Sequence, residues 1–457
     1  MRNSKLVMGR RTTGALFFHL LYASLGLSAA EKRLTLCCAN NDASERGVTR
    51  SMYEYAHYAE RLLNVKSIII LPLLMNSSNP LSDGYDLTAP RESDRYSRKH
   101  ARKFLPALVK RFRVSFCGRP FSDELQTELV AERRRENRHD MLTYYCEDLT
   151  RHCLTIGCDA VYMQKGGGVR HPPRYPEAFT ASIPTIVHAV FNWNPHGSVY
   201  GAISESIKAY SRRYQGYIVP YVVTPPSNAP ARGKSHRVRF NIPASALVVC
   251  RHGGNTTFSI PYARKSVWLA LNRYNVSELH FLFLGTQSMS FFLQKLVDKH
   301  CNTPTAGSSS IPPAACLRFG SQVHFLDTTV DDDDREVYFQ TCDVMLHARE
   351  DGETFGLAVA EFSVRNKPVL TQRPVKRYSD AHVRVLGDQG LYYTNEGDIL
   401  QHLDSLIKHG VPKDRNYTAF RQFYPELTMK IFKERFLDNI RPLIGRTDLQ
   451  NATTLWG

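Results

Sequence analysis

LTLCCANNDASERGVTRSMYEYAHYAERLLNVKSIIILPLL, residues 34–74, decides the architecture. Its apolar opening, Leu34–Ala39, predicts a short strand. Met52, Tyr55, Ala56, Ala59 and Leu63 then recur at three- and four-residue intervals, the stripe of a helix laid on a sheet. Ser67–Leu74 is a continuous apolar, β-branched run, as expected for a strand covered on both faces. Strand, helix and strand in this order argue for a doubly wound parallel sheet.

The same alternation extends outward. Asp159–Met163 and Thr185–Val190 read as further buried strands. Tyr221–Ser235, rich in Pro, Ser and small residues, interrupts the pattern and predicts a hinge. A second series follows at Leu247–Cys250, Leu279–Leu284, Val323–Phe325, Val344–Leu346 and Pro368–Leu370. The expected fold class is therefore α/β, with two doubly wound, Rossmann-like domains facing across a cleft. They occupy residues 31–225 and 241–430, with a linker at 226–240 and a C-terminal tail at 431–457. Two insertions break the scheme. Arg91–Asp140 holds 14 Lys/Arg against 8 Asp/Glu and reads as charged helices with a solvated face. Peripheral contact with an anionic membrane surface is its alternative reading. Cys301–Gly320 reads as a surface loop.

Composition bounds the function. The 457 residues suit two domains, and 42% hydrophobic with 22% charged residues excludes a disordered or fibrous chain. No apolar run reaches the roughly 18 residues of an interior membrane helix, which argues against a polytopic membrane protein. A net charge of +16 calls for an anionic partner. Aromatic interleaving in the basic stretch is weak, so nucleic acid is discounted. Residues 1–30 pair a basic head with the apolar ALFFHLLYASLGL and end in Ser28-Ala29-Ala30, the layout of a secretory signal. On that reading the protein enters the secretory pathway, and sequons at Asn76, Asn255, Asn275, Asn416 and Asn451 become acceptors. Otherwise the leader is a basic extension of a cytoplasmic protein. The ten cysteines show no spacing suited to zinc, so no metal is expected. Cys301 and Cys316 read as two loop thiols, with a disulfide as the alternative in an oxidising compartment.

Chemistry concentrates in HAREDGETFGLAVAE, residues 347–361. A turn punctuated by Gly352 and Gly356 enters a helix near Leu357, which exposes backbone N–H groups to an anion. Glu353 and Glu361 supply acceptor-only carboxylates, suited to holding vicinal hydroxyls. An ordinary capped helix with solvated glutamates is the bland alternative.

This Glu-x7-Glu block, with ETFG at its head, resembles the signature of family-4 retaining glycosyltransferases of the GT-B fold. Residues 44–70, 190–204, 251–261 and 341–369 resemble motifs of a viral, algal and microbial branch, in the right order. The resemblance spans roughly residues 34–430 without the two insertions. It implies transfer of a sugar from a nucleotide-diphosphate donor to an unidentified hydroxyl acceptor, with retention and without a cofactor or metal. It further implies that Glu361 binds ribose, Glu353 contacts the transferred sugar, and Thr354, Phe355, Gly356 and Leu357 flank the diphosphate. Arg251 would neutralise that diphosphate with its planar fork. His188 would touch the sugar, Lys165 would add charge toward phosphate, and His196 would shape the acceptor side. Ser44 and Gly47 lie in the first loop, close to donor or acceptor. The sequence departs from the family at Thr256, where a lysine is usual, and Lys265 lies too far along to replace it. A nucleotide-sugar epimerase or phosphorylase, and a catalytically silent glycan- or surface-binding relative, are the competing readings.

Overall fold

Strands β1 (Leu34–Ala39), β2 (Val65–Pro72), β3 (Arg113–Cys117), β4 (Ala160–Lys165), β5 (Thr185–Ala189), β6 (Val199–Ala202) and β7 (Tyr217–Ile218) form the first sheet. Its order is β3-β2-β1-β4-β5-β6-β7, and the pairings β2–β3, β1–β4, β4–β5, β5–β6 and β6–β7 are parallel. The computed structural model describes residues 33–40, 47–72, 105–117, 149–167, 182–209, 216–227, 235–254, 257–301, 314–327, 331–373, 375 and 378–446. Helix α1 (Gly47–Leu62) covers the sheet with the predicted stripe, burying Met52, Tyr55, Ala56 and Ala59. The short helix α2 (Glu205–Lys208) follows β6.

A second sheet repeats the plan. β8 (Leu247–His252), β9 (Leu279–Leu284), β10 (Val323–Leu326), β11 (Val344–His347), β12 (Val369–Gln372) and β13 (Leu391–Tyr393) stand in the order β10-β9-β8-β11-β12-β13, parallel throughout. Helices α3 (Pro261–Arg273), α4 (Asp332–Thr341), α5 (Leu357–Ser363) and α6 (Ala381–Leu386) accompany it. In each half the order reverses beside the first strand, between β1 and β4 and between β8 and β11. Ligands of doubly wound sheets bind at the carboxyl ends of such strands.

Several expectations change. The basic segment 91–140 is not wholly an insertion: residues 105–111 are helical and β3 is the edge strand, Ile68 opposing Arg113. The rest of that segment lies outside the described residues, as do residues 302–313 of the second insertion and the leader to residue 32. Asp331 caps α4 by accepting from Asp334 N–H, and the acids that follow suit a helix N-terminus. The first part of the expected hinge is core, with Tyr221, Val222 and Val223 buried. The expected tail also contributes to the core, burying Phe432, Phe436, Leu437, Ile440 and Leu443. Helix α7 (Pro425–Phe432) and the turns after it return to the first sheet, where Phe432 packs 5.0 Å from the Tyr55 ring and Phe436 lies 5.2 Å from His188.

Disulfides join Cys37 to Cys158, Cys250 to Cys342 and Cys301 to Cys316, and Cys117 is bonded as well. The loop-thiol reading of Cys301 and Cys316 is therefore wrong. The other two pairs were invisible because 121 and 92 residues separate their partners, and only strand adjacency brings them together.

Candidate functional site

Arg251, near the carboxyl end of β8, is 1% exposed. Nη2 donates to Thr257 Oγ1 at 2.5 Å, while Nε and Nη1 are buried with no hydrogen-bond partner among the described residues. Burial pushes its pKa down to about 10. A guanidinium left half-paired in the interior is costly unless an anion completes it. Gly253, at φ +142°, makes room for it, since a Cβ there would sit 2.3 Å from Nη1. Lys265 offers no help, being exposed and paired with Glu396 at 2.7 Å. Thr256 lies outside the described residues.

Beside it, the loop after β11 is stitched to the segment before α6. Glu353 N–H donates to Ser379 O at 2.6 Å, and Ala381 N–H donates to Glu353 O at 3.2 Å. Gly352 takes φ +71° because a Cβ would meet Ser379 O at 2.3 Å. The Glu353 carboxylate accepts from His347 Nε2 at 3.2 Å and from Arg349 Nη1 at 2.9 Å. Burial pushes its pKa up, but the His347 bond and the Arg349 charge outweigh it and bring the value to about 2. His347 Nδ1 lies 2.8 Å from Thr371 Oγ1, which in turn lies 3.2 Å from His382 Nε2. With Glu353 ionised, His347 carries its proton on Nε2 and Thr371 donates to Nδ1, so the ring is fixed from behind. Burial lowers both histidines, His382 to about 3.

Glu361 projects from α5, where its Oε1 accepts from Arg335 Nη2 at 2.5 Å. His252 Nε2 lies 2.7 Å from Oε2, an ion-pair distance without hydrogen-bond alignment. Burial pushes this carboxyl up, yet Arg335 and His252 hold it well below the ordinary range. The Glu353 and Glu361 side chains remain 15% and 20% exposed. Each oxygen keeps a lone pair beyond its present partner, so both carboxylates retain capacity for hydroxyl donors.

The remaining expected residues divide. Leu357 opens α5 and Gly356 caps it at φ +92°, without a side-chain bond. Thr354 is half-buried, but Phe355 is core, its ring 5.3 Å from Tyr221 and 5.2 Å from Phe423. His188 does not present itself to a sugar. It is fully buried, with Nδ1 2.8 Å from Tyr162 Oη and Nε2 2.7 Å from Val219 O, and burial pushes it down to about 3. A histidine on a central strand beneath the returning C-terminal helix has both nitrogens consumed by the core. Lys165 ends β4 with a buried amine pushed down to about 7 by desolvation. The turn after it is zipped to the next strand's exit, Asn192 N–H donating to Gly166 O at 2.8 Å. His196 is buried with Nδ1 2.7 Å from Asn194 O. Gly47 opens α1, and Ser44 lies outside the described residues. Sequence reasoning missed His252, Arg335, His347 and Arg349. Three of them sat inside the quoted motifs, and Arg335 lies on α4, outside them.

Among the described residues no cluster of His, Cys, Asp or Glu is placed to hold a metal ion, and no helix is long and apolar enough to cross a membrane. Neither a protein-family model nor a curated protein matches the sequence. Solved structures do. A glycosyltransferase from Rickettsia africae ESF-5 superposes with a TM-score of 0.54 at 12% identity, covering 88% of this chain and 99% of its own. HepE from Anabaena, in complex with UDP and glucose, gives 0.50 at 12% identity over 90% and 98%. An α,α-trehalose 6-phosphate synthase from Burkholderia multivorans gives 0.50 at 10% identity over 90% and 99%. Two parallel sheets of seven and six strands, wound alike and superposable on these enzymes, give the chain the GT-B fold.

Proposed function

We propose that this protein is a retaining glycosyltransferase that moves a sugar from a nucleotide-diphosphate donor to a hydroxyl acceptor. The observation that carries the reading is Arg251, a buried guanidinium whose Nε and Nη1 have no hydrogen-bond partner among the described residues, set beside the ionised Glu353 and one residue from the His252–Glu361 pair. An anionic leaving group and a polyhydroxylated sugar would satisfy both halves of that site. The UDP-bound structure of HepE, similar in fold, supports a uridine donor among the candidates.

In this mechanism the protein positions the reactants and stabilises the charge that grows on the departing diphosphate. Arg251 supplies that stabilisation without requiring a metal. The two glutamates orient ribose and sugar, and the diphosphate takes the acceptor proton on the face it leaves. The disulfides, together with exposed sequons at Asn275 and Asn416, support a secretory-pathway location, because such bridges persist in oxidising compartments.

The test is a screen of UDP-, GDP- and ADP-sugars that scores thermal shift and nucleotide release together. A donor at 100 times its dissociation constant adds about 2.7 kcal/mol of stability, which is readily seen. One donor should shift and release, and its anomeric configuration should survive in the product. Absence of shift and release with every donor, from folded protein, would refute the reading.

A further inference from the structure

We propose that Arg349 is the second cation of the diphosphate site, a role that rests on the transferase reading above. A diphosphate brings two or more negative charges, and Arg251 offers one positive charge to meet them. The geometry places Arg349 within electrostatic reach of it. β8 and β11 are adjacent and parallel, with Val249 opposite Val344 and Cys250 opposite Met345, so Arg251 near the end of β8 and Arg349 two residues beyond β11 lie at the same carboxyl end of the sheet. The loop after Arg251 is then fastened to the residues on either side of Arg349. Ser259 and Ile260 N–H both donate to Ala348 O, at 2.8 and 3.2 Å, and Glu350 N–H donates to Ser259 Oγ at 3.0 Å. Thr257, in the same loop, holds Arg251 Nη2.

Arg349 is 31% exposed on its side chain, and among the described residues its one hydrogen bond runs from Nη1 to Glu353. The other donors of its fork have no partner among those residues and can meet phosphate oxygens. Arg251, Arg349 and the Glu353 carboxylate together carry one net positive charge, since burial keeps His347 and His382 neutral. The charges also feel one another: Glu353 favours the protonated form of Arg251, whereas Arg349 disfavours it. An anion between the two arginines relieves that repulsion and leaves the Glu353 pair intact.

The experiment is calorimetric titration of the full chain with inorganic pyrophosphate, for wild type, Arg349→Ala, Arg349→Lys and Lys265→Ala. Arg349→Ala should weaken pyrophosphate at least tenfold, Arg349→Lys less because the charge remains, and Lys265→Ala not at all. If Arg349→Ala fails to fold, Arg349→Lys decides by the same titration, a severalfold loss supporting the role. Wild-type affinity in both Arg349 variants overturns it, leaving Arg349 as a brace for Glu353 and the transferase reading untouched. Weakened pyrophosphate binding with no turnover of any nucleotide sugar would instead keep the two-arginine site and remove the transferase reading. A wild-type chain that ignores pyrophosphate sinks the two-arginine site.

Discussion

Ser206 Oγ donates to Asp380 Oδ1 at 2.6 Å, joining the helix after β6 of the first sheet to the segment that holds Glu353. The backbone of Asp380 is bridged to that of Glu353, and its other oxygen takes Arg384 Nε at 2.9 Å. The position of the first half is thus felt one residue pair away from the Glu353 carboxylate. Ser206→Ala removes the link at about 1 kcal/mol. We expect turnover to fall roughly fivefold while nucleotide affinity, measured by titration, stays at the wild-type value. Unchanged turnover would mean that the Ser206–Asp380 link does not position Glu353.

The two glutamates should fail differently. Glu361→Gln keeps the shape but loses the charge that Arg335 and His252 answer, and charged hydrogen bonds are worth about 1.5–3 kcal/mol. Donor affinity should therefore drop about 10- to 100-fold. Glu353→Gln should spare affinity and cut turnover by about 100- to 1000-fold, the usual effect of removing one preorganised group. Calorimetric binding beside initial rates separates the two. A variant pair with matching losses in both quantities would contradict the assignment.

Lys165 makes a pH prediction. The residue is 1% exposed and its amine is pushed down to about 7, whereas an unfolded lysine titrates near 10.4. Between those values the unfolded chain binds more protons than the folded one, so stability rises with pH. The contribution has a slope of up to about 1.4 kcal/mol per pH unit. Chemical denaturation at pH 7, 8 and 9 should show the rise, and Lys165→Met should flatten it. A slope that survives the substitution would assign it to another group.

The fold was legible because its strands were long, apolar and continuous. Leu279–Leu284 emerged with its observed bounds, and β1 did too. β7 and β13, of two and three residues, are too short to show a period, and β3 was hidden by its arginine and serine. The roles proposed for Glu353, Glu361 and Arg251 come from a resemblance in linear order. The residues that charge and brace them were not legible, because Arg335 comes from another helix and Thr371 from another strand. His188 misled for a related reason: position in a motif says nothing about the C-terminal helix that later closes over it.

Cys37–Cys158 and Cys250–Cys342 occupy equivalent places in the two halves, each joining the first strand to the residues just before its neighbour across the point of reversal. With 121 and 92 residues between partners, chain entropy alone assigns each bridge about 4–5 kcal/mol. Against a total of about 5–15 kcal/mol for a typical domain, their loss is severe. A thermal melt with a strong reductant should therefore fall by about 10 °C or more relative to the oxidised protein. The second bridge has a further consequence, since Cys250 precedes Arg251 and Cys342 ends α4, whose Arg335 holds Glu361. The double variant Cys250→Ala with Cys342→Ala frees β8 and α4 to move apart, so nucleotide binding should weaken along with stability. The corresponding pair Cys37→Ala with Cys158→Ala should lower the melting temperature without that loss of affinity. Equal nucleotide affinity in the two double variants would show that the second bridge staples the sheet alone and does not position the site.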